Sequence, residues 1–117
     1  MVASAAIYGG TYNLFNVTMR RMGIEFTFVD PDCSDEELEA AFKENTKCVF
    51  GETIANPALT VFDIERFAHA AHKHGVPLIV DNTFATPKCS CPVPELWLPL
   101  SDRPRLCHCR WSGNRCL

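Results

Sequence analysis

The chain has 117 residues, 47% of them hydrophobic and 21% charged, with a formal net charge of −3. That length holds one domain or part of one, and the mild negative charge argues against nucleic acid or an anionic membrane as a partner. No apolar run approaches the roughly 20 residues of a membrane span, and Met1-Val2-Ala3-Ser4 lacks the basic-then-apolar pattern of a secretory signal.

Val2 to Ala6 is small and apolar and reads as a short strand. Tyr8-Gly9-Gly10-Thr11 follows, with Thr11 placed to cap a helix over Tyr12 to Met22 whose apolar residues are Leu14, Phe15, Val17, Met19 and Met22. Gly23 ends it. Glu25 to Val29 alternates polar and apolar, as a half-buried strand does. Ser34 and Glu37 form a capping box ahead of a helix with Leu38, Ala41 and Phe42 on one face and Asn45 as a stop. Lys47 to Gly51 is the next strand, followed by the loop Glu52-Thr53-Ile54-Ala55-Asn56-Pro57. Asp63 caps a further helix with Ile64, Phe67, Ala68 and Ala71 inward, Lys73 and His74 in its last turn, and Gly75 just past its end. Pro77 to Asp81 closes a strand–helix alternation repeated into four strands. This is the pattern of an α/β fold with a parallel sheet and crossover helices.

Composition changes near Pro87. Residues 1–87 hold two cysteines and no tryptophan; residues 88–117 hold five cysteines, both tryptophans and an excess of bases. Pro92, Pro94, Pro99 and Pro104 interrupt this tail, which has neither helical nor strand periodicity. The expected division is therefore 1–87 as the folded unit and 88–117 as an unrelated, disordered Cys/Pro-rich tail.

Few residues carry chemistry. Neither G-x-G-x-x-G nor G-x-x-x-x-G-K-[ST] occurs. Asp81 ends an apolar strand, where α/β folds place ligands. It either caps the next element or meets a cation or donor, since a lone buried carboxylate is costly. Glu52 and Asn56 follow the preceding strand; if the two strands are neighbours, all three converge on one crevice. Tyr8 follows the first strand and is either a core aromatic or a platform for a planar ligand. His69, His72 and His74 crowd one helix, but H-x-x-H without a further ligand reads as a solvated face, and no metal site is expected. In the tail, Cys89-Ser90-Cys91 and Cys107-His108-Cys109 are spaced too tightly for a usual zinc site.

Val2-Ala3-Ser4, Tyr8-Gly9-Gly10-Thr11-Tyr12-Asn13-Leu14-Phe15, Gly51-Glu52-Thr53-Ile54-Ala55-Asn56-Pro57 and Val80-Asp81-Asn82-Thr83-Phe84-Ala85-Thr86-Pro87 together resemble the trans-sulfuration family of pyridoxal 5′-phosphate (PLP) enzymes of cysteine and methionine metabolism. The match runs through about residues 2–87 and is most similar to the O-acetylhomoserine sulfhydrylase subgroup. The resemblance implies an inner piece of the large domain of the fold-type-I PLP-dependent transferase fold. It implies a cofactor site in which Tyr8 stacks on the PLP ring, Asp81 pairs with the pyridinium nitrogen, and Asn56 lies near the phenolic oxygen and the substrate carboxylate. The implied reaction is γ-replacement of acetate by sulfide to give homocysteine from a small amino-acid substrate. The implied setting is a cytoplasmic homo-oligomer in the full-length members.

The chain also departs from that family. A Ser-x-x-Lys-Tyr type motif carrying the Schiff-base lysine is expected after the Asp-Asn-Thr strand, and only Lys88 follows Asp81. The resemblance places the phosphate-binding loop before residue 1 and draws further site residues from a neighbouring subunit, so neither is expected within these 117 residues. The expectation is a fragment with no catalytic residue of its own, inactive alone. Its strands Cys48 to Phe50 and Leu78 to Val80 are expected as exposed edges that promote association. The rival expectation is a non-catalytic or interaction protein with a metal- or redox-active Cys-rich tail. Zinc titration of residues 88–117 separates the two: no tight one-to-one site is expected, and a stoichiometric sub-micromolar complex with protected cysteines would make the tail a module in its own right.

Overall fold

The computed structural model describes residues 1–84 and the strand Cys107–Cys109. In chain order the elements are β1 (Val2–Ser4), α1 (Gly9–Asn13), a π-helical continuation (Leu14–Met19), β2 (Thr27–Val29), α2 (Asp35–Ala40), β3 (Val49–Glu52), α3 (Ile64–Lys73), β4 (Leu78–Asp81) and β5 (Cys107–Cys109). They form one sheet in the order β2-β1-β3-β4-β5, every pairing parallel. Among the described residues no helix is long and apolar enough to cross a membrane.

The period-two alternation of each strand sorts side chains to two covered faces. Val2, Val29, Val49, Leu78 and Val80 point to one face and pack with Leu38 and Ala41 of the α2 region and with Phe67, Ala68, Ala70 and Ala71 of α3. Ala3, Phe50 and Ile79 point to the other and meet Ile7, Phe15 and Phe26. The Phe15 ring stacks on Phe26 at 4.8 Å and meets Phe50 edge-on at 5.0 Å, so the first helical segment closes this side. Helices on both faces are what a parallel sheet requires, because neither face can be left wet.

The Ser34 capping box forms: Ser34 Oγ accepts from the Glu37 backbone N–H at 3.2 Å, and the Glu37 carboxylate accepts from the Ser34 N–H at 2.9 Å. Asp63 caps α3 through the Arg66 N–H at 3.0 Å. Gly23 and Gly75 adopt φ of 82° and 67° at the ends of their helices, a region costly for other residues.

Several expectations are corrected. The first helix begins at Gly9, not Tyr12, and Tyr8 holds its N-cap position without a side-chain cap. The α2 helix stops at Ala40, well before Asn45. Glu52 is the last residue of β3 rather than the first of a loop. The strands β3 and β4 are not edges: β3 lies between β1 and β4, and β4 between β3 and β5. The chain steps from β1 to β2 on one side and then crosses back past β1 to β3, which buries the most apolar strands centrally. Cys107–Cys109 of the tail adds β5, with His108 opposite Val80. The Pro87 boundary and the rest of the tail lie outside the described residues.

Gly51 is required by packing. A Cβ there would come within 2.4 Å of the Phe62 ring, which lies over the strand and contacts Phe67 at 4.4 Å between centroids. Gly51→Ala is expected to lower stability in urea unfolding by about 1–3 kcal/mol through overpacking. Adding Phe62→Leu should recover part of that loss, since the two sites are in contact.

Candidate functional site

The strand order reverses between β1 and β3, and a parallel sheet opens a crevice at such a point beyond the carboxyl ends of its strands. The residues leaving those ends are Tyr8 after β1, Glu52 on β3 and Asp81 on β4. The β3–β4 register sets Glu52 directly beside Asp81. Above them is a cavity of about 550 Å³ lined by Tyr8, Thr11, Glu52, Ile54, Asn56, Asp81, Thr83 and Phe84.

Asp81 is held by its own chain. Its Oδ1 accepts from the Thr83 backbone N–H at 2.9 Å and from the Thr83 hydroxyl. Its carbonyl accepts from the Thr53 N–H at 2.9 Å, tying β4 to the start of the loop after β3. Among the described residues the side-chain bonds of Asp81 fall on Oδ1, so Oδ2 keeps its capacity to accept from a ligand.

Glu52 is almost wholly buried, with 6% of its surface exposed. Its Oε1 accepts from the Tyr8 backbone N–H at 2.9 Å, and Thr11 and Asn56 lie around the same carboxylate. Burial pushes its carboxyl above the ordinary value, and the adjacent Asp81 charge pushes the same way; the Tyr8 N–H bond and the polar groups of Thr11 and Asn56 act in the opposite direction. Tyr8 itself is exposed, its ring free of the core. Asn56 stands on a loop closed by Ile54–Val61 bridging and by the Phe62 N–H bonding to the Thr53 carbonyl at 3.1 Å.

The structure thus brings Tyr8, Asn56 and Asp81 to one cavity, together with Glu52. It adds Thr11, Thr83 and Phe84, none of which the sequence singled out for a ligand. For Thr83 a signal was present: a Thr two residues after an Asp closes a turn on the Asp carboxylate. The helical histidines lie elsewhere. His74 pairs with Glu39 at 2.8 Å and stacks on Phe42 at 4.1 Å between centroids, and Lys73 pairs with the same carboxylate at 3.0 Å. Those two partners, His74 first, hold Glu39 below the usual carboxylate value. Among the described residues no three His, Cys, Asp or Glu side chains gather as metal ligands.

An aromatic ring, a carboxylate with a free oxygen and a carboxamide around an open cavity suit a planar, cationic heteroaromatic ring. The profile of a family described as Cys/Met metabolism PLP-dependent enzyme matches residues 1–95. The chain belongs to that family. Homocysteine/cysteine synthase of Saccharomyces cerevisiae is 50% identical over 84 residues, 72% of this chain and 19% of that protein. O-acetyl-L-homoserine sulfhydrylase of Corynebacterium glutamicum is 49% identical over 86 residues, 74% of this chain and 20% of that protein. Among solved structures, the O-acetylhomoserine (thiol)-lyase of Campylobacter jejuni, which holds N′-pyridoxyl-lysine-5′-monophosphate, superposes with a TM-score of 0.70 at 40% identity. That match covers 74% of this chain and 21% of the other. The O-acetylhomoserine sulfhydrylase of Wolinella succinogenes gives 0.67 at 40% identity, covering 74% and 25%. The fold is therefore that of the fold-type-I PLP-dependent transferases, and the chain spans about a fifth of the length of these curated relatives. The family is PLP-dependent, and Tyr8, Asn56 and Asp81 share one cavity wide enough for a planar ring.

A carboxyl raised above its ordinary value of 4.5 binds more protons folded than unfolded. Glu52 therefore costs stability as pH rises from that value through the raised one, and the cost is constant above both. Glu52→Gln keeps the acceptor and removes the charge. It is expected to gain stability over the wild type at about pH 8 and to lose that advantage at about pH 4, as read by chemical denaturation at both.

Proposed function

We propose that this chain forms the ring-binding side of a PLP site of the O-acetylhomoserine sulfhydrylase type, in which acetate on the γ-carbon of a small amino-acid substrate is replaced by sulfide to give homocysteine. The observation that carries this reading is the convergence of Tyr8, Asn56 and Asp81 on one cavity at the reversal of strand order, in a chain half identical to a homocysteine/cysteine synthase over 84 residues. PLP, when bound, is the electron sink for bond breaking next to the substrate amine. Asp81 holds a proton on the ring nitrogen through its carboxylate, with Thr83 fixing that carboxylate in place. Tyr8 covers the ring face. Asn56, on the cavity wall, would lie near the phenolic oxygen and the substrate carboxylate.

The covalent link to a lysine lies outside this set. Among the described residues no lysine lines the cavity: Lys43 pairs with Glu25 at 3.5 Å, Lys73 pairs with Glu39, and Lys47 lines a separate pocket beside Met1 and Glu25. On this reading the chain orients the ring but does not by itself complete the turnover of its relatives. The setting is cytoplasmic.

The test uses 4′-deoxypyridoxine 5′-phosphate, a ring phosphate without the aldehyde, titrated into the 117-residue chain. Saturable one-to-one binding is expected. Asp81→Ala should weaken it by about 10- to 100-fold, the loss of one charge-assisted hydrogen bond. Borohydride reduction of the chain with PLP should label no single lysine stoichiometrically. A unique trapped adduct, on Lys88 for instance, would assign the chain a covalent site after all.

A further inference from the structure

Two features around Tyr8 have no role in the ring contacts just described. The first is Glu52. A buried carboxylate between Asp81 and the first turn of α1 is an unfavourable place for a charge, yet its Oε1 is bonded by the Tyr8 N–H at 2.9 Å. Tyr8, and Thr11 and Asn56 near the same carboxylate, all line the cavity. The α1 helix has no side-chain cap of its own; Glu52, 44 positions away, accepts the N–H of its N-cap residue instead. The second feature is Gly10. A Cβ there would come within 2.6 Å of Tyr8 Cε1 and 3.1 Å of Cδ1, so the ring lies back over the first turn of α1 in space that only glycine leaves open.

The Tyr8 side chain is more than half exposed and no core packing fixes it. Its place therefore depends on the backbone that carries it and on the turn beneath it. We propose that Glu52 and Gly10 are positioning residues for the aromatic platform. Glu52 pins the Tyr8 backbone across the β1–β3 crevice, and Gly10 leaves the gap in which the Tyr8 ring rests. Gly10 does not line the cavity and Glu52 does, but the positioning role of both runs through Tyr8.

This inference rests on the ring-binding reading for its consequence, and the test keeps the two apart. In the full chain, affinity for 4′-deoxypyridoxine 5′-phosphate is measured for Glu52→Ala, Glu52→Gln and Gly10→Ala, each in wild-type and Tyr8→Ala backgrounds. Glu52→Ala is expected to weaken binding about tenfold, and Gly10→Ala about two- to tenfold. Glu52→Gln, which keeps an acceptor for the Tyr8 N–H, should stay within about twofold of wild type. In the Tyr8→Ala background both losses should shrink to within about twofold, because the platform is already gone. Losses that persist undiminished there, or a Gln variant as weak as the Ala one, would overturn the proposal. Amide hydrogen exchange adds a readout without ligand: the Tyr8 N–H should be protected in wild type and Glu52→Gln and exchange about tenfold faster in Glu52→Ala. If the probe fails to bind the wild type, the ring-binding reading falls. Positioning is then decided by that amide and by the proximity of the Tyr8 ring to Gly10 in nuclear Overhauser spectra, and unchanged protection and proximity in Glu52→Ala would refute it.

Discussion

The parallel register between β3 and β4 is the constraint on which the rest depends. It ends both strands on a carboxylate, Glu52 beside Asp81, at the same level of the sheet. Two adjacent negative charges are tolerable only if each is given its own set of donors. The chain divides them cleanly. Asp81 is bonded by Thr83 on its own strand end, while Glu52 is bonded by the Tyr8 N–H from the segment after β1. One carboxylate is left with an oxygen open to the cavity, and the other is buried with a backbone N–H for a partner. The asymmetry between them comes from burial and partners, not from residue type.

That division relies on a well-formed sheet beneath it. The alternation Val49-Phe50 and Leu78-Ile79-Val80 sends apolar side chains to opposite faces, and each face is closed by its own helices. Full burial of the larger side chains, Phe67, Leu38 and Leu78 among them, carries the hydrophobic gain. The polar groups at the strand ends can then be spent on geometry, since they are not needed to hold the strands together.

Much of this was legible in the sequence, for local reasons. The strand and helix order follows from periodicity, and the Ser34 and Asp63 caps follow from residues within one turn of the helices they start. What was not legible depends on distant partners. The first helix could not be seen to begin at Gly9, because Tyr8 is no capping residue and its acceptor is Glu52, far along the chain. Glu52 itself read as the opening of a loop, since its strand pairing with Asp81 belongs to the sheet and not to its neighbours in sequence. The interior placement of β3 and β4 was missed for the same cause: strand order is a property of the assembled sheet. Cys107-His108-Cys109 carries no alternation that would mark it as β5. Asp81, at the abrupt end of an apolar run, was the exception, a position whose unusual chemistry shows in one dimension.

The loop between β3 and α3 is closed on itself before it reaches the helix. Its two ends are joined by the bond from the Phe62 N–H to the Thr53 carbonyl, and the Phe62 ring fills the place that Gly51 leaves vacant on the sheet. The side chain missing from the strand is in effect borrowed from its own downstream loop. A swing of that loop away from the cavity would pull an aromatic plug out of the core, so hinge-like opening at this side is mechanically coupled to unpacking. Asn56 is consequently preset, and a ligand arriving there meets a surface whose ordering cost was met when the protein folded.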